Sequence, residues 1–285
     1  MSYKFKRILI YSIQGKSVPV VKSMIDWLET KSFEVFLHHD TAELMHIQSV
    51  QKMTDAEIKD IDLLIVVGGD GSMLSAANKI IHKDIPILGI NTGKLGFLVD
   101  HSPGDFASID AALKGDYLEE KRTLLSIAHG DEQTLAMNEL IISRQEIGKI
   151  MSMTLYINDA CVCQYLADGL IIATPTGSTA HAMSAGGAII HPESKSFLLI
   201  PVCPNKLNSR PIVIPENEKI SIEVSDSKHI TPTMSSDGRD SEAINASLPI
   251  NIAAFKKPIR LIHQKNYSFY ETLKQKLHWE KTLDA

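Results

Sequence analysis

An apolar run that ends in a glycine-rich turn constrains the fold of this chain most. Leu63 to Val67 is continuously apolar, as expected for a strand that is buried on both faces of a parallel sheet. Gly68 to Ser72 interrupts the run, and the apolar residues after it recur at the spacing of one helix face. A second apolar strand follows at Ile85 to Ile90. The order strand, helix, strand predicts a parallel, Rossmann-like α/β domain with its ligand site beyond the carboxyl ends of the strands.

The pattern changes after about residue 120. Apolar and polar residues alternate over Met153 to Ile157, Ile220 to Val224 and Ile250 to Ile252, with turn residues between such runs. Period-two runs predict an antiparallel, sandwich-like β domain. A length of 285 residues is also that of about two domains. We therefore expect an α/β domain over 1–120, an all-β domain over 121–265, and a C-terminal helix within 266–285 that packs back on the first domain.

Composition limits the partners of the chain. Lys plus Arg is 29 and Asp plus Glu is 34, which gives a formal net charge of −5. This balance gives no global electrostatic footprint for nucleic acid or an anionic membrane. The sequence contains neither a signal-peptide pattern nor an apolar stretch of transmembrane length. We expect a soluble cytoplasmic protein with three reduced cysteines, Cys161, Cys163 and Cys203, that binds neither nucleic acid nor a membrane.

The glycine-rich turn combines two properties that suit phosphate chemistry. Gly68, Gly69 and Gly71 allow the backbone to approach a ligand closely, and the helix that follows offers free N–H groups. Asp70 places a carboxylate among these anion-binding groups, where it would hold a cation or accept a proton. The alternative is a tight turn in which Asp70 caps the helix. The chain contains neither a GxxxxGK[ST] phosphate loop nor a GxGxxG dinucleotide fingerprint.

Three further segments are candidates for ligand contact, each with a structural alternative. Phe97, in Asn91 to Leu98, would stack on a flat ring or belong to the core. The pair Asn138-Glu139 would read a ribose or a base edge, or would begin a solvated strand. The run 168–187 is rich in hydroxyls and small residues, which suits a large ligand lying close to the backbone, or a strand–turn–helix corner with capping hydroxyls.

Together these segments resemble the NAD kinase family. The blocks GGDGSML (68–74), NTGKLGFL (91–98), NE (138–139) and DGLIIATPTGSTAHAMSAGGAIIHP (168–192) occur in the family's order and span most of the chain. The resemblance implies phosphorylation of the adenosine-ribose 2′-hydroxyl of NAD by ATP with Mg²⁺ or another divalent cation. It also implies an N-terminal α/β domain, a C-terminal β-sandwich-like domain, and a homodimer or homotetramer.

The resemblance also implies roles for particular residues. Asp70 matches the catalytic base of the family. The phosphates of ATP are expected to contact Gly68, Gly69, Gly71 and Ser72. Contacts to NAD are expected from Asp70, Gly71, Phe97, Asn138, Glu139, Lys149, Asp168, Thr179, Ala180, His181 and Ser184. No metal-binding residue is assigned.

The chain departs from the family pattern at four positions. His181 stands where tyrosine is common, Leu166 where a basic residue is common, Ser72 where threonine is common, and Arg239 where glutamine often occurs. Two other functions stay open on sequence alone. One is a lipid kinase of the diacylglycerol type that shares the glycine-rich loop, and the other is a non-catalytic nucleotide sensor on the same fold.

Overall fold

The computed structural model describes residues 3–146, 148–225 and 230–279, which form two compact units. The first unit contains the chain up to Lys121 and again from Ile259. The second unit runs from Arg122 to Pro258. No helix within the described ranges is long and apolar enough to cross a membrane.

The first unit is built on a seven-stranded sheet with the strand order β3-β2-β1-β4-β5-β19-β6. The strand pairs from β3 through β5 to β19 are parallel. Its strands are β1 (Arg7–Tyr11), β2 (Glu34–His38), β3 (Gln51–Met53), β4 (Leu63–Gly68), β5 (Ile87–Asn91), β6 (Leu118–Arg122) and β19 (Ile259–His263). Its helices are α1 (Val18–Thr30), α2 (His39–Leu44), α3 (Asp70–Ile80), α4 (Phe106–Leu113) and α6 (Phe269–Leu277).

Helical and strand periodicity explain the core of this unit. On α1 the buried residues Val21, Met24, Ile25 and Leu28 follow the three- and four-residue spacing of one helix face. Every residue of β4 is buried, as expected for a central strand of a parallel sheet. The glycine-rich turn follows β4 directly, so the first turn of α3 lies at the carboxyl end of this strand.

The second unit consists of two six-stranded antiparallel sheets, ordered β11-β10-β15-β18-β7-β8 and β14-β13-β12-β9-β16-β17. Its strands are β7 (Leu125–His129), β8 (Glu132–Ala136), β9 (Glu139–Arg144), β10 (Met151–Ile157), β11 (Ala160–Ala167), β12 (Gly169–Ala173), β13 (Ser196–Val202), β14 (Ile212–Pro215), β15 (Ile220–Val224), β16 (Pro232–Ser236), β17 (Glu242–Ala243) and β18 (Ile250–Ala254). One short helix, α5 (His181–Ser184), also lies here. Met153 and Leu155 of one sheet share a hydrophobic core with Leu170 and Ile172 of the other.

The predicted fold class, a parallel α/β domain followed by a sandwich-like antiparallel β domain, is confirmed. The structure differs from the sequence-based domain boundary at one strand. Ile259–His263, which the sequence-based boundary places in the all-β domain, pairs in parallel with β5 through Leu261 and Ile87. The second unit therefore ends at Pro258 rather than at residue 265, and the C-terminal helix spans Phe269–Leu277.

Candidate active site

Asp70 is the first residue of α3, at the carboxyl end of β4. Gly69 is the N-cap, with extended backbone angles, and no side chain caps this end of the helix. The N–H groups in the first turn of a helix have no partner within the helix, and the helix dipole is positive at this end. The loop therefore places a carboxylate beside amides that favour anions.

Two backbone amides hold the Asp70 carboxylate. The Phe97 N–H donates to Oδ2 at 3.0 Å, and the Leu98 N–H donates to Oδ1 at 3.1 Å. Gly96 makes this contact possible, since a Cβ there would lie 2.0 Å from Oδ1. The GGDG and NTGKLGFL motifs therefore meet at Asp70, and its side chain does not cap the helix.

A lysine from the C-terminal helix also contacts the Asp70 carboxylate. Lys276 of α6 approaches Oδ2 with its Nζ at 3.3 Å, and both side chains are about one-third exposed. The same ammonium lies 4.6 Å from the centre of the Phe97 ring, a cation–π contact. Phe97 itself is buried and its ring is 6.0 Å from that of Phe269. Phe97 thus belongs to the core, which is the second of the two roles that the sequence left open for it.

The glycines of the loop have different roles. A Cβ on Gly68 would lie 2.2 Å from Oγ of Ser72, so Gly68 makes room for a buried serine. A Cβ on Gly69 or Gly71 would meet no atom within 4 Å. The fold therefore does not require bare backbone at these two positions. The Ser72 hydroxyl is buried within the unit, so a phosphate contact from Ser72 would come from its backbone N–H.

In the second unit, Asp237 organises the Asn138-Glu139 pair. Its carboxylate accepts hydrogen bonds from the N–H groups of Met137 at 2.8 Å, Asn138 at 2.7 Å and Glu139 at 3.3 Å. Gly177 approaches from another side, because a Cβ there would lie 2.1 Å from the Asn138 carbonyl oxygen. Both members of the pair are buried, which excludes the solvated strand start that sequence alone left open.

Glu139 is a buried acid without a charge partner among the described residues. Burial and then the charge of Asp237 raise the pKa of Glu139 to about 7. Its Oε2 atom is buried and has no hydrogen-bond partner within the described part of the chain. An unpaired buried oxygen is costly, and it marks Glu139 as a candidate for contact with a ligand hydroxyl.

The hydroxyl-rich run divides into an inner and an outer part. Thr174 donates to the Met137 carbonyl at 2.6 Å, and Ser178 donates to the Pro175 carbonyl at 2.6 Å. These two buried hydroxyls hold the turn together. The expected NAD contacts lie farther out. Thr179 and Ala180 are half-buried, and His181 and Ser184 are exposed.

A basic residue does lie beside Asp168. Antiparallel pairing of β9 with β12 sets Ser143 opposite Gly169, and Arg144 Nη2 then contacts Asp168 Oδ1 at 2.5 Å. The presence of Leu166 where the family often has a basic residue does not reveal this contact, because Arg144 reaches Asp168 from a different strand, β9. Lys149 is exposed in the loop after β9.

Two contacts were not predicted from the sequence: Lys276 contacts Asp70 in the first unit, and Asp237 accepts the N–H groups of the Asn138-Glu139 pair in the second. Lys276 is 206 positions from Asp70 in sequence. The sequence signal for Asp237 is an Asp-Gly turn, which predicts a turn and not three accepted N–H bonds. Among the described residues, no group of three or more His, Cys, Asp or Glu side chains is arranged to hold a metal ion.

Comparison with known proteins identifies the family of this chain. Residues 7–117 match the family model described as the ATP-NAD kinase N-terminal domain, and residues 137–264 match the ATP-NAD kinase C-terminal domain. The NAD kinase of Coxiella burnetii (strain RSA 493 / Nine Mile phase I) is 39% identical over 285 residues, covering 97% of this chain and 95% of the relative. The chain belongs to the NAD kinase family. The NAD kinase of Legionella pneumophila (strain Corby) is 36% identical, with 98% of both chains covered.

Solved structures of the NAD kinase family have the same fold. Yeast NADH kinase complexed with NADH aligns with a TM-score of 0.87 at 22% identity, covering 98% of this chain and 89% of that one. An NAD kinase from Archaeoglobus fulgidus in complex with ATP aligns with a TM-score of 0.75 at 25% identity, covering 95% and 98%. This member of the NAD kinase family is thus a kinase, and the comparisons favour ATP-dependent NAD phosphorylation over the lipid-kinase alternative.

Proposed function

We propose that this chain transfers the γ-phosphoryl group of ATP to the 2′-hydroxyl of the adenosine ribose of NAD and so forms NADP. The observation that supports these roles most strongly is the position of Asp70. Asp70 begins α3, and its carboxylate accepts the N–H groups of Phe97 and Leu98. It lies beside Gly69 and Gly71, where an added Cβ would meet no atom within 4 Å. This is a base next to an anion site.

Phosphoryl transfer requires little covalent work from the protein. Asp70 accepts the proton of the 2′-hydroxyl, and the hydroxyl oxygen forms a bond to the γ-phosphorus. The bond from that phosphorus to the bridging oxygen breaks, and ADP leaves with the electron pair. A positioned general base contributes about 10²- to 10⁴-fold to such a step. The amides of Gly71 and Ser72 would stabilise charge on the phosphoryl oxygens.

A divalent cation fits this chemistry as part of the ATP substrate. Mg²⁺ is commonly held by one or two carboxylates together with substrate phosphates, without a full protein cage. Asp70 is a carboxylate of this kind, located at the phosphate loop. When bound, the cation would neutralise charge on the triphosphate.

Residues of the second unit would hold NAD. Asn138 offers an amide, and the unpaired Oε2 of Glu139 offers a buried acceptor for a sugar hydroxyl. Asp168, with its Arg144 partner, would contact a polar end of the dinucleotide. Lys149, which is exposed, would also contact NAD. Thr179, Ala180, His181 and Ser184 would form the outer wall of this dinucleotide site.

Assembly and location remain predictions. The family resemblance favours a homodimer or homotetramer, and we propose a cytoplasmic location. Light scattering on the purified chain tests the assembly directly.

The experiment that tests the function is product formation. The purified protein is incubated with NAD, ATP and Mg²⁺, and NADP is detected with an NADP-specific dehydrogenase. Parallel reactions replace ATP with polyphosphate, NAD with NADH, or NAD with diacylglycerol. We expect NADP from NAD and ATP. Binding of NAD without any NADP would instead indicate the non-catalytic sensor.

A further inference from the structure

We propose that Lys276 is a positioning residue for the kinase reaction, acting through Asp70. This inference rests on the proposed function. The single observation behind it is the contact of Lys276 Nζ with Asp70 Oδ2 at 3.3 Å, on the oxygen that also accepts the Phe97 N–H at 3.0 Å. The C-terminal helix thereby completes the set of groups that hold the candidate base.

The C-terminal segment is fastened to the loop that carries those amides. The Asp100 carboxylate accepts the Gln264 N–H at 2.8 Å and contacts the His263 ring at 3.1 Å. Farther along, the Tyr267 hydroxyl donates to the Phe97 carbonyl at 3.4 Å. These contacts fix the segment before α6 against the loop that ends at Asp100. Lys276 therefore contacts Asp70 from a helix whose preceding segment is held in place.

Three donors then define the plane of the carboxylate. The Leu98 amide holds Oδ1, and the Phe97 amide with Lys276 holds Oδ2. A group that transfers a proton must be held within about 0.5 Å of its productive position. Stacking of the ammonium over the Phe97 ring restricts the lysine itself, since the ring attracts the cation from a second direction.

Lys276 also changes the charge that ATP meets at this site. An unpaired Asp70 carboxylate would repel the triphosphate, since both are negative. An ammonium 3.3 Å from the carboxylate oxygen offsets this charge. Because both effects pass through Asp70, removing Lys276 should matter only while Asp70 carries its carboxylate.

The test combines substitutions at both positions. Lys276→Met removes the charge at similar length, Lys276→Gln is a second uncharged variant in case the first folds poorly, and Lys276→Arg keeps the charge. We expect the uncharged variants to lose about 10- to 100-fold in kcat, as a misplaced catalytic group does. Lys276→Arg should recover most of this loss, and NAD affinity, measured by calorimetry, should change less than about twofold in all three. Lys274→Met, on the same helix and next to Glu271, is the matched control and should keep wild-type kcat.

The readout that separates positioning from general support of the fold is a double-mutant cycle. In an Asp70→Asn background, Lys276→Met should produce no further loss of kcat. Three outcomes would overturn the inference and leave the proposed function in place. The first is a kcat of the double variant that equals the product of the two single losses. The others are an unchanged kcat in both uncharged variants and a Lys276→Arg variant that recovers no activity. Absence of NADP formation by the wild-type protein would instead overturn the proposed function, and this inference with it.

Discussion

Asp237 and Glu139 are joined by two hydrogen bonds that run in opposite directions. The Asp237 N–H donates to the Glu139 carbonyl at 3.1 Å, and an Asp237 carboxylate oxygen accepts the Glu139 N–H at 3.3 Å. The two residues therefore cannot separate without breaking both hydrogen bonds. The arrangement keeps Glu139 in place but makes its ionisation unfavourable.

The raised pKa of Glu139 predicts how stability depends on pH. Burial, with the charge of Asp237, moves its pKa from 4.5 to about 7, so the folded state holds this proton more tightly than the unfolded chain. The contribution of Glu139 to the free energy of unfolding should fall by about 3 kcal/mol as the pH rises from 4.5 to about 7, and should then stay constant. Urea titrations across that window measure the slope.

Glu139→Gln should remove that slope, because the amide does not titrate. Glu132→Gln, at an exposed glutamate in the same unit, is the matched control and should keep it. An unchanged slope in Glu139→Gln would contradict the assignment of the titration to Glu139.

His263 predicts a second pH dependence, in the first unit. The ring is fully buried between Asp100 at 3.1 Å and Glu120 at 3.2 Å. Burial opposes the charged form, but hydrogen bonds to the two carboxylates and their charges outweigh it and raise the pKa of His263 above 6.5. The resulting stability is fully present below pH 6.5 and is lost as the pH rises through the folded-state pKa.

His263→Asn should be destabilised most below pH 6.5 and should lose this pH dependence, as measured by urea titration. His39→Asn, at a partly exposed histidine paired with Glu43, provides the comparison. Should both variants show the wild-type decline above pH 6.5, another group would be responsible.

We predict that Gly96→Ala lowers activity for a steric reason. A Cβ at this position would lie 2.0 Å from Oδ1 of Asp70, so Gly96→Ala must displace the carboxylate. We expect kcat to fall about 10- to 100-fold, as for a catalytic group moved by about 1 Å. In Gly93→Ala the nearest atom lies at 4.0 Å, so this variant of the same loop should stay close to wild type. Equal activities in a steady-state assay would argue against a fixed Asp70.

Gly71 predicts a separation of stability from activity. Its added Cβ meets nothing within 4 Å, and alanine stabilises a helix relative to glycine by about 0.5 to 1 kcal/mol. Gly71→Ala should therefore unfold at the wild-type temperature or above it. If phosphate approaches this backbone, the KM for ATP should rise about 10-fold. Asn78→Ala, later in α3, controls for the helix. A wild-type KM in Gly71→Ala would place the triphosphate elsewhere.

Local patterns in the sequence predict the fold and part of the site, and long-range pairing decides the rest. The apolar run before Gly68 and the alternation at Met153 to Ile157 predict their strands because burial imposes those periods. Periodicity does not indicate which sheet a strand joins, so the sequence does not predict that Ile259–His263 pairs with β5 of the first unit. Lys276 lies on a helix that the sequence predicts, but its approach to Asp70 depends on tertiary structure.

The measurement that tests the central claim most directly is the turnover of Asp70→Asn with saturating NAD, ATP and Mg²⁺, with NAD binding followed separately by calorimetry. Asp116→Asn, an exposed aspartate of the same unit paired with Lys265, serves as the control. We predict that Asp70→Asn loses about 10²- to 10⁴-fold in kcat because the general base is removed, and that NAD still binds because the residues proposed to hold it in the second unit are unchanged. Wild-type turnover by Asp70→Asn would contradict it.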